Sequence, residues 1–248
     1  LSRWISRVVV AHDLPCVVVL ESTGVYGEKV SYALHEQGFH VSIVLPVKAR
    51  NFARSLSGKS KTDMIDARML ATMGVERPMR RWSPPSPILY QLRQLTREMS
   101  SLKELKTREQ NRMHAASDMY HKSRPLVRRI RRLIAFYEKQ IKEITQEIEQ
   151  VLSSDADLMK RVKLCTTIPG AGMMTVVTVV AETNGFALVT NGRQLTSYAG
   201  LDVRHNQSGR HVGRTSISKQ GNSRIRSALY MPALCASRRN PTLRTHYE

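Results

Sequence analysis

The chain has 248 residues, 41% of them apolar, enough to bury a core in one large domain or two ordinary ones. It carries 39 Lys and Arg against 20 Asp and Glu, a formal net charge of +19, which points to a polyanionic partner. The runs CVVVL and MMTVVTVVA are too short to span a membrane, the start has no signal-peptide pattern, and Cys16, Cys165 and Cys235 are odd in number and far apart; together these read as a reduced, cytoplasmic protein that binds nucleic acid.

The sequence opens LSRWISRVVVAHDLPCVVVLE without Met and closes on RRNPTLRTHYE without a helix stop, so both ends read as cut. CVVVLES, 16–22, is β-branched and predicts a buried parallel strand. Apolar residues at helical spacing and a Gly stop predict a helix over 25–38, HVSIVLP predicts a second strand over 40–46, and 46–56 and 62–73 predict helices. Strand, helix, strand, helix is the order of a parallel α/β sheet, in which ligands sit at the carboxyl ends of the strands.

RWSPPSP, 81–87, is a Pro-rich break and a domain boundary. Apolar residues at i, i+3, i+4, i+7 from about 88 to 152 predict two long antiparallel helices of coiled-coil character, turning near 123–125. Arg128, Arg129, Arg131 and Arg132 make the region near that turn strongly positive, either as a solvated helix surface or as a phosphate-contacting patch. From 155 onward the texture is apolar and glycine-punctuated, then basic: after Gly185 the acids are only Asp202 and Glu248, against ten Lys or Arg. The domains expected are therefore 1–85, 86–154 and 155–248.

Three constellations carry chemistry. Glu21 ends the first strand; Asp63 and Asp66, three apart, begin a helix just after Lys59 and Lys61. Adjacent carboxylates repel unless a cation lies between them, and three at a strand end and a helix start suit Mg²⁺, which takes oxygen ligands and bridges phosphates. The bland alternative is a solvated helix face with Lys61 and Arg68 nearby. In TTIPGAGMMTV, 166–176, Gly170 and Gly172 let backbone amides approach a phosphate at a helix N-terminus, as in a helix-hairpin-helix, or they form an ordinary tight turn. The stretch SYAGLDVRHNQSGRHVGRTSISKQGNSRIRSALYMPAL, 197–234, predicts a polar loop and then an apolar helix. Ser208, Ser216 and Ser218 stand there among Arg204, Arg210, Arg214, Lys219, Arg224 and Arg226. Arginines stabilise the charge that develops when serine attacks phosphate; the other reading is a phosphate-binding loop in which serine only donates a hydrogen bond.

Occurring together and in this order, these motifs resemble the DEDD-type transposases of bacterial insertion sequences, the insertion-sequence one-ten family, also called bridge-RNA-guided recombinases. LESTGVYGEKVSYAL and KSKTDMIDARMLA are similar to its RuvC-like (RNase H-like) amino-terminal domain. TTIPGAGMMTV and the 197–234 stretch are similar to its mainly helical carboxyl-terminal transposase domain. The resemblance implies that Glu21, Asp63 and Asp66 are the second, third and fourth acids of a Mg²⁺-binding quartet. It also implies that a serine, Ser208 before Ser218, links covalently to DNA, that a partner subunit completes the site in a dimer or tetramer, and that a structured RNA guides the choice of donor and target DNA. The family's first acid lies on a strand before the one ending in Glu21. Asp13 does not match that place, so the resemblance implies a metal site one ligand short in this stretch. Two other readings stay open: a RuvC-like nuclease that uses water, and a non-catalytic remnant that only binds nucleic acid.

Overall fold

The computed structural model describes residues 2–12, 15–56, 62–209 and 211–247. The chain forms two compact units, Leu1–Pro84 and Pro85–Glu248, and the division falls inside the Pro-rich break.

Unit 1 opens with helix α1 (Ser2–His12) and continues through strand β1 (Val17–Glu21), a single 3-10 turn (Gly24–Gly27), α2 (Glu28–Glu36), β2 (His40–Val44), α3 (Pro46–Ser55) and α4 (Asp63–Glu76). β1 and β2 pair in parallel, with Val17 opposite His40 and Glu21 opposite Val44. Alternate residues face opposite sides of a strand, so the small sheet is covered on both faces. Val18, Leu20, Val41 and Ile43 meet Ile5 of α1 and Leu34 of α2; Val19 and Val44 meet Phe52 of α3 and Met69 and Met73 of α4. Beyond α4 the Trp82 N–H donates to the Val41 carbonyl at 2.7 Å, and its ring stands edge-on to Tyr32.

Two features of unit 1 depart from the sequence reading. α1 was not predicted, because its VVV run favours a strand locally; Ile5 and Val9, four apart, nevertheless face the core. The helix expected over 25–38 begins only at Glu28, since Gly24 at φ +66° and the 3-10 turn carry the chain over the strand end first.

Unit 2 is built on a helical hairpin of α5 (Pro87–Asp118) and α6 (Arg124–Ser153), each started by a serine cap, Ser86 or Ser123, and a proline in the first turn. Leu92, Met99 and Leu102 share a core with Ile144, Ile148 and Leu152, and a Lys106–Glu138 ion pair at 2.9 Å ties the helices further along. α7 (Ala156–Thr166) and α8 (Met173–Glu182) add Leu158, Val162, Val176, Val177 and Val180 to that same core. Then come α9 (Gly192–Ala199), the short strands β3 (Val203–Arg204), β4 (Gln207–Ser208), β5 (His211–Val212) and β6 (Ser216–Ile217), α10 (Ser223–Arg239) and α11 (Pro241–Tyr247).

The expected polar loop before α10 is a nested two-stranded ribbon: β3 pairs with β6 and β4 with β5, both antiparallel. Its turn carries Gly209 at φ +55°. The sequence hides these strands because each is two residues long and polar. Pro232 lies inside α10 and cannot donate to the Ala228 carbonyl; the Thr175 hydroxyl of α8 donates to that oxygen at 3.4 Å instead.

Among the described residues no helix is long and apolar enough to cross a membrane, and Cys16, Cys165 and Cys235 are free.

Candidate functional site

In unit 1 Glu21 ends β1, and Asp63 and Asp66 open α4. α4 starts with Thr62 as cap, its hydroxyl oxygen accepting the Ile65 N–H at 3.3 Å, and Asp63 and Asp66 fill the first turn, where carboxylates favour the positive end of the helix. A Cβ added at Gly74 would stand 2.9 Å from Val19, so that glycine lets α4 lie directly on β1. Met79, just past the helix, accepts from the Ser42 hydroxyl in the middle of β2, and the Trp82 N–H donates to the Val41 carbonyl, so the segment after α4 is also tied to the sheet.

Asp63 lies three residues before Asp66 on α4, about 4.5 Å along the helix axis. Asp66 falls on the stripe of Met69 and Met73 that faces the sheet and is half-buried; Glu21 and Asp63 are exposed. The oxygen donors are chemically right for Mg²⁺. Among the described residues no three His, Cys, Asp or Glu side chains are grouped to hold a metal unaided. Asp13, Lys59 and Lys61 lie outside the described residues.

Unit 2 presents its serines differently. Ser208 is exposed at the last pair of the ribbon, opposite His211, and its hydroxyl has no hydrogen-bond partner among the described residues. Ser218 stands at the ribbon's foot, where its hydroxyl donates to Asp202 Oδ2 at 2.9 Å and its oxygen accepts the Gln220 N–H at 3.3 Å. Ser216 pairs with Arg204 in the ladder. Arg204, Arg214, Lys219 and Arg224 are exposed; Arg210 lies outside the described residues.

The ribbon's foot is a backbone crossing. Gly200, at φ +67°, ends α9, and an added Cβ there would meet the backbone nitrogens of Gln220 and Gly221 at 2.9 Å. Gly221 in turn packs directly on Gly200 and Tyr198. Lys219 N–H donates to Gly200 O, and Asn222 N–H to Tyr198 O. Arg226 donates to the carbonyls of Ala199 at 2.6 Å and Gly221 at 3.1 Å, so its guanidinium clamps this crossing.

Below the crossing lies a network that sequence reading missed. Glu182, 3% exposed at the end of α8, accepts two hydrogen bonds from Arg97 of α5, at 2.7 and 2.9 Å, and one from Asn222 at 2.7 Å. Tyr198 donates to the Glu182 carbonyl, and the Asn222 side chain caps α10. Burial pushes the Glu182 carboxyl up, but the hydrogen bonds from Arg97 and Asn222 and the charges of Arg97 and Arg224 outweigh it and hold the group below the usual carboxylate range. Burial raises the Tyr198 hydroxyl above its ordinary value. The signal available in the sequence was the lone acid closing the apolar run MMTVVTVVAE, since a buried charge needs a partner.

The remaining expected contacts are placed as follows. Arg128, Arg129, Arg131 and Arg132 are exposed on the first half of α6. Gly170, at φ +91°, turns the chain between α7 and α8, where an added Cβ would meet Pro232 O at 3.1 Å and Cys235 at 3.4 Å; packing on α10 accounts for this glycine. Gly172, the cap of α8, faces open space.

Comparison with known proteins matches both halves of the chain. A DEDD-type transposase family model covers residues 1–122, and the model described as "Transposase IS116/IS110/IS902 family" covers 162–248. Pilin gene-inverting proteins of Moraxella bovis and Moraxella lacunata are each 32% identical over 221 residues, which is 89% of this chain and 67% of the relatives' length.

Proposed function

The chain belongs to the DEDD-type transposases of the IS116/IS110/IS902 family and is a DNA transposase or recombinase, and from that premise we propose that it cuts and rejoins DNA through a covalent bond to Ser208. The observation that carries this reading is the contrast between the two serines. Ser208 is offered bare at the tip of an arginine-bearing ribbon, whereas Ser218 is held by Asp202 and the Gln220 amide.

The chemistry balances without an external energy source. The Ser208 hydroxyl gives up its proton, its Oγ bonds to phosphorus, and the sugar oxygen of the cut strand leaves and takes up a proton. The new phosphoester preserves the bond energy, so a second sugar hydroxyl can reverse the step and rejoin a strand; attack by water would discard it. The relatives' name describes gene inversion, which requires rejoining. Arg204 and Arg214 stabilise the charge growing on the phosphate oxygens.

Glu21, Asp63 and Asp66, in an RNase H-like unit 1, would hold Mg²⁺ together with further ligands, and when bound that ion supplies neutralisation of phosphate charge. Within this chain α4 holds Asp66 half-buried and keeps Asp63 accessible. The hairpin serves as a coiled-coil oligomerisation element: Leu133 and Phe136, three apart on α6, remain 39% and 54% exposed. A structured guide RNA and two DNAs are the partners, held by the basic surface of unit 2.

The test is a nicked suicide DNA carrying the element's junction, incubated with full chain and Mg²⁺. The proposal expects a protein–DNA adduct that survives denaturant, is lost in Ser208→Ala and persists in Ser218→Ala when that variant folds. Cleavage without any adduct would mean that water is the nucleophile.

A further inference from the structure

The turn of the hairpin, residues 119–123, has a feature that neither the family nor the candidate site accounts for. Tyr120 is 95% exposed, and its ring meets His121 edge-on at 4.7 Å between centroids. The turn is short and fixed at both ends. Ser123 caps α6 by accepting the Leu126 N–H, Pro125 fills its first turn, and Ala116 and Ile130 are buried just below. A ring displayed in full beside a cluster of arginines offers a flat face on which a planar, anionic ligand can stack.

The surroundings define that ligand. From Met119 to Tyr137 there are six Lys or Arg and no acid. Arg124, Arg128, Arg131 and Arg132 recur at helical spacing on the side of α6 away from Ile130, all exposed. Asp118, one residue before the turn, is paired with His114 at 3.4 Å. A second copy docking by this arginine face, as opposed to the side of α6 that carries Leu133 and Phe136, would bring the same positive charge and be repelled. A nucleic acid brings phosphates, but a fully paired duplex hides its base faces.

We propose that the hairpin tip binds a nucleic acid at an unpaired base, which stacks on Tyr120 with His121 bracing the ring, while the arginines of α6 hold the flanking phosphates. A looped RNA and a displaced DNA strand share this chemistry. The inference rests on the nucleic-acid function proposed above and adds the class of strand recognised.

The experiment measures binding of the full chain, by fluorescence polarisation at fixed salt, to four probes: RNA and DNA, each as a hairpin with an unpaired loop and as a fully paired duplex. Tyr120→Ala is expected to weaken binding to the looped probes by about 5- to 150-fold, the usual value of one stacked base, and to leave the duplexes unchanged. Tyr120→Phe should retain loop binding. Arg128→Ala and Arg132→Ala should weaken loops and duplexes alike and each reduce the salt slope by about one. Loss confined to the RNA loop identifies RNA as the source, and loss confined to the DNA loop identifies a DNA strand; either supports the proposal. Unchanged loop binding by Tyr120→Ala while the wild type binds overturns the tip inference alone. So does an equal loss on duplex, or loss of the oligomer by light scattering, which would make Tyr120 a protein contact. No wild-type binding to any probe would sink the nucleic-acid reading itself.

Discussion

The two units handle their polar groups in opposite ways. Unit 1 carries 12 Lys and Arg against 7 Asp and Glu and leaves its candidate acids open, Glu21 and Asp63 at the surface and Asp66 only half-covered. Unit 2 carries 27 against 13 and buries two acids, Glu109 beside Arg112 and Glu182 under three hydrogen bonds that join α5, α8 and the start of α10. Open carboxylates are free to take a ligand but add little to stability. A clamped carboxylate adds stability and is unavailable for chemistry. The ribbon bearing Ser208 stands on the clamped kind of foundation and presents the free kind of group.

That comparison can be broken by mutation. The largest effect expected is on salt: if the basic surface of unit 2 engages about six phosphates, affinity for DNA falls roughly 10³-fold between 50 and 200 mM salt. A nearly flat titration would mean that charge does not drive binding. Next, Asp66→Asn should lower strand cleavage about 100-fold or more while DNA binding stays within a few-fold, because its role is to hold a cation. Paramagnetic relaxation by Mn²⁺ reads the same site without activity and should weaken in this variant.

The clamp should behave in the reverse manner. Arg97→Ala removes one partner of a buried charge and should destabilise unit 2 by about 3 kcal/mol, the low end for such a deletion because Arg97 is partly in water, as measured by denaturant unfolding. Because the folded pKa of Glu182 is depressed, its stabilisation is complete above the unfolded value and is lost as pH falls through the folded one. Unfolding midpoints of the wild type should therefore drop below about pH 4, and Glu182→Gln should flatten that drop. Smaller again, Asp63→Asn should change stability by less than about 1 kcal/mol, the worth of a first-turn carboxylate. If Asp63→Asn destabilised the protein as much as Arg97→Ala, the contrast between open and clamped acids would be wrong.

How far these features were legible in the sequence follows the same division. Long periodic segments declared themselves: the hairpin of α5 and α6, and the β1–α2–β2 order, came from apolar spacing and Gly or Pro punctuation. The acids of α4 were legible because D-x-x-D after a cap residue is a local pattern. What stayed hidden depends on contacts between distant residues. No local rule joins Arg97 to Glu182, 85 positions away, or sets Gly200 on Gly221. The four strands of the ribbon are too short for periodicity to register. The seating of α4 on β1 through Gly74 and Val19 is likewise encoded in neither motif.

The central claim is that the bare serine of the ribbon, and not the held one, joins DNA. The most direct measurement is to trap the covalent adduct on a suicide substrate, digest it with protease and nuclease, and locate the modified residue by mass spectrometry. A phosphonucleotide remnant on Ser208, within NQSGR, is the predicted result. A remnant on Ser218 or Ser216, or full cleavage with no modified serine at all, would contradict it.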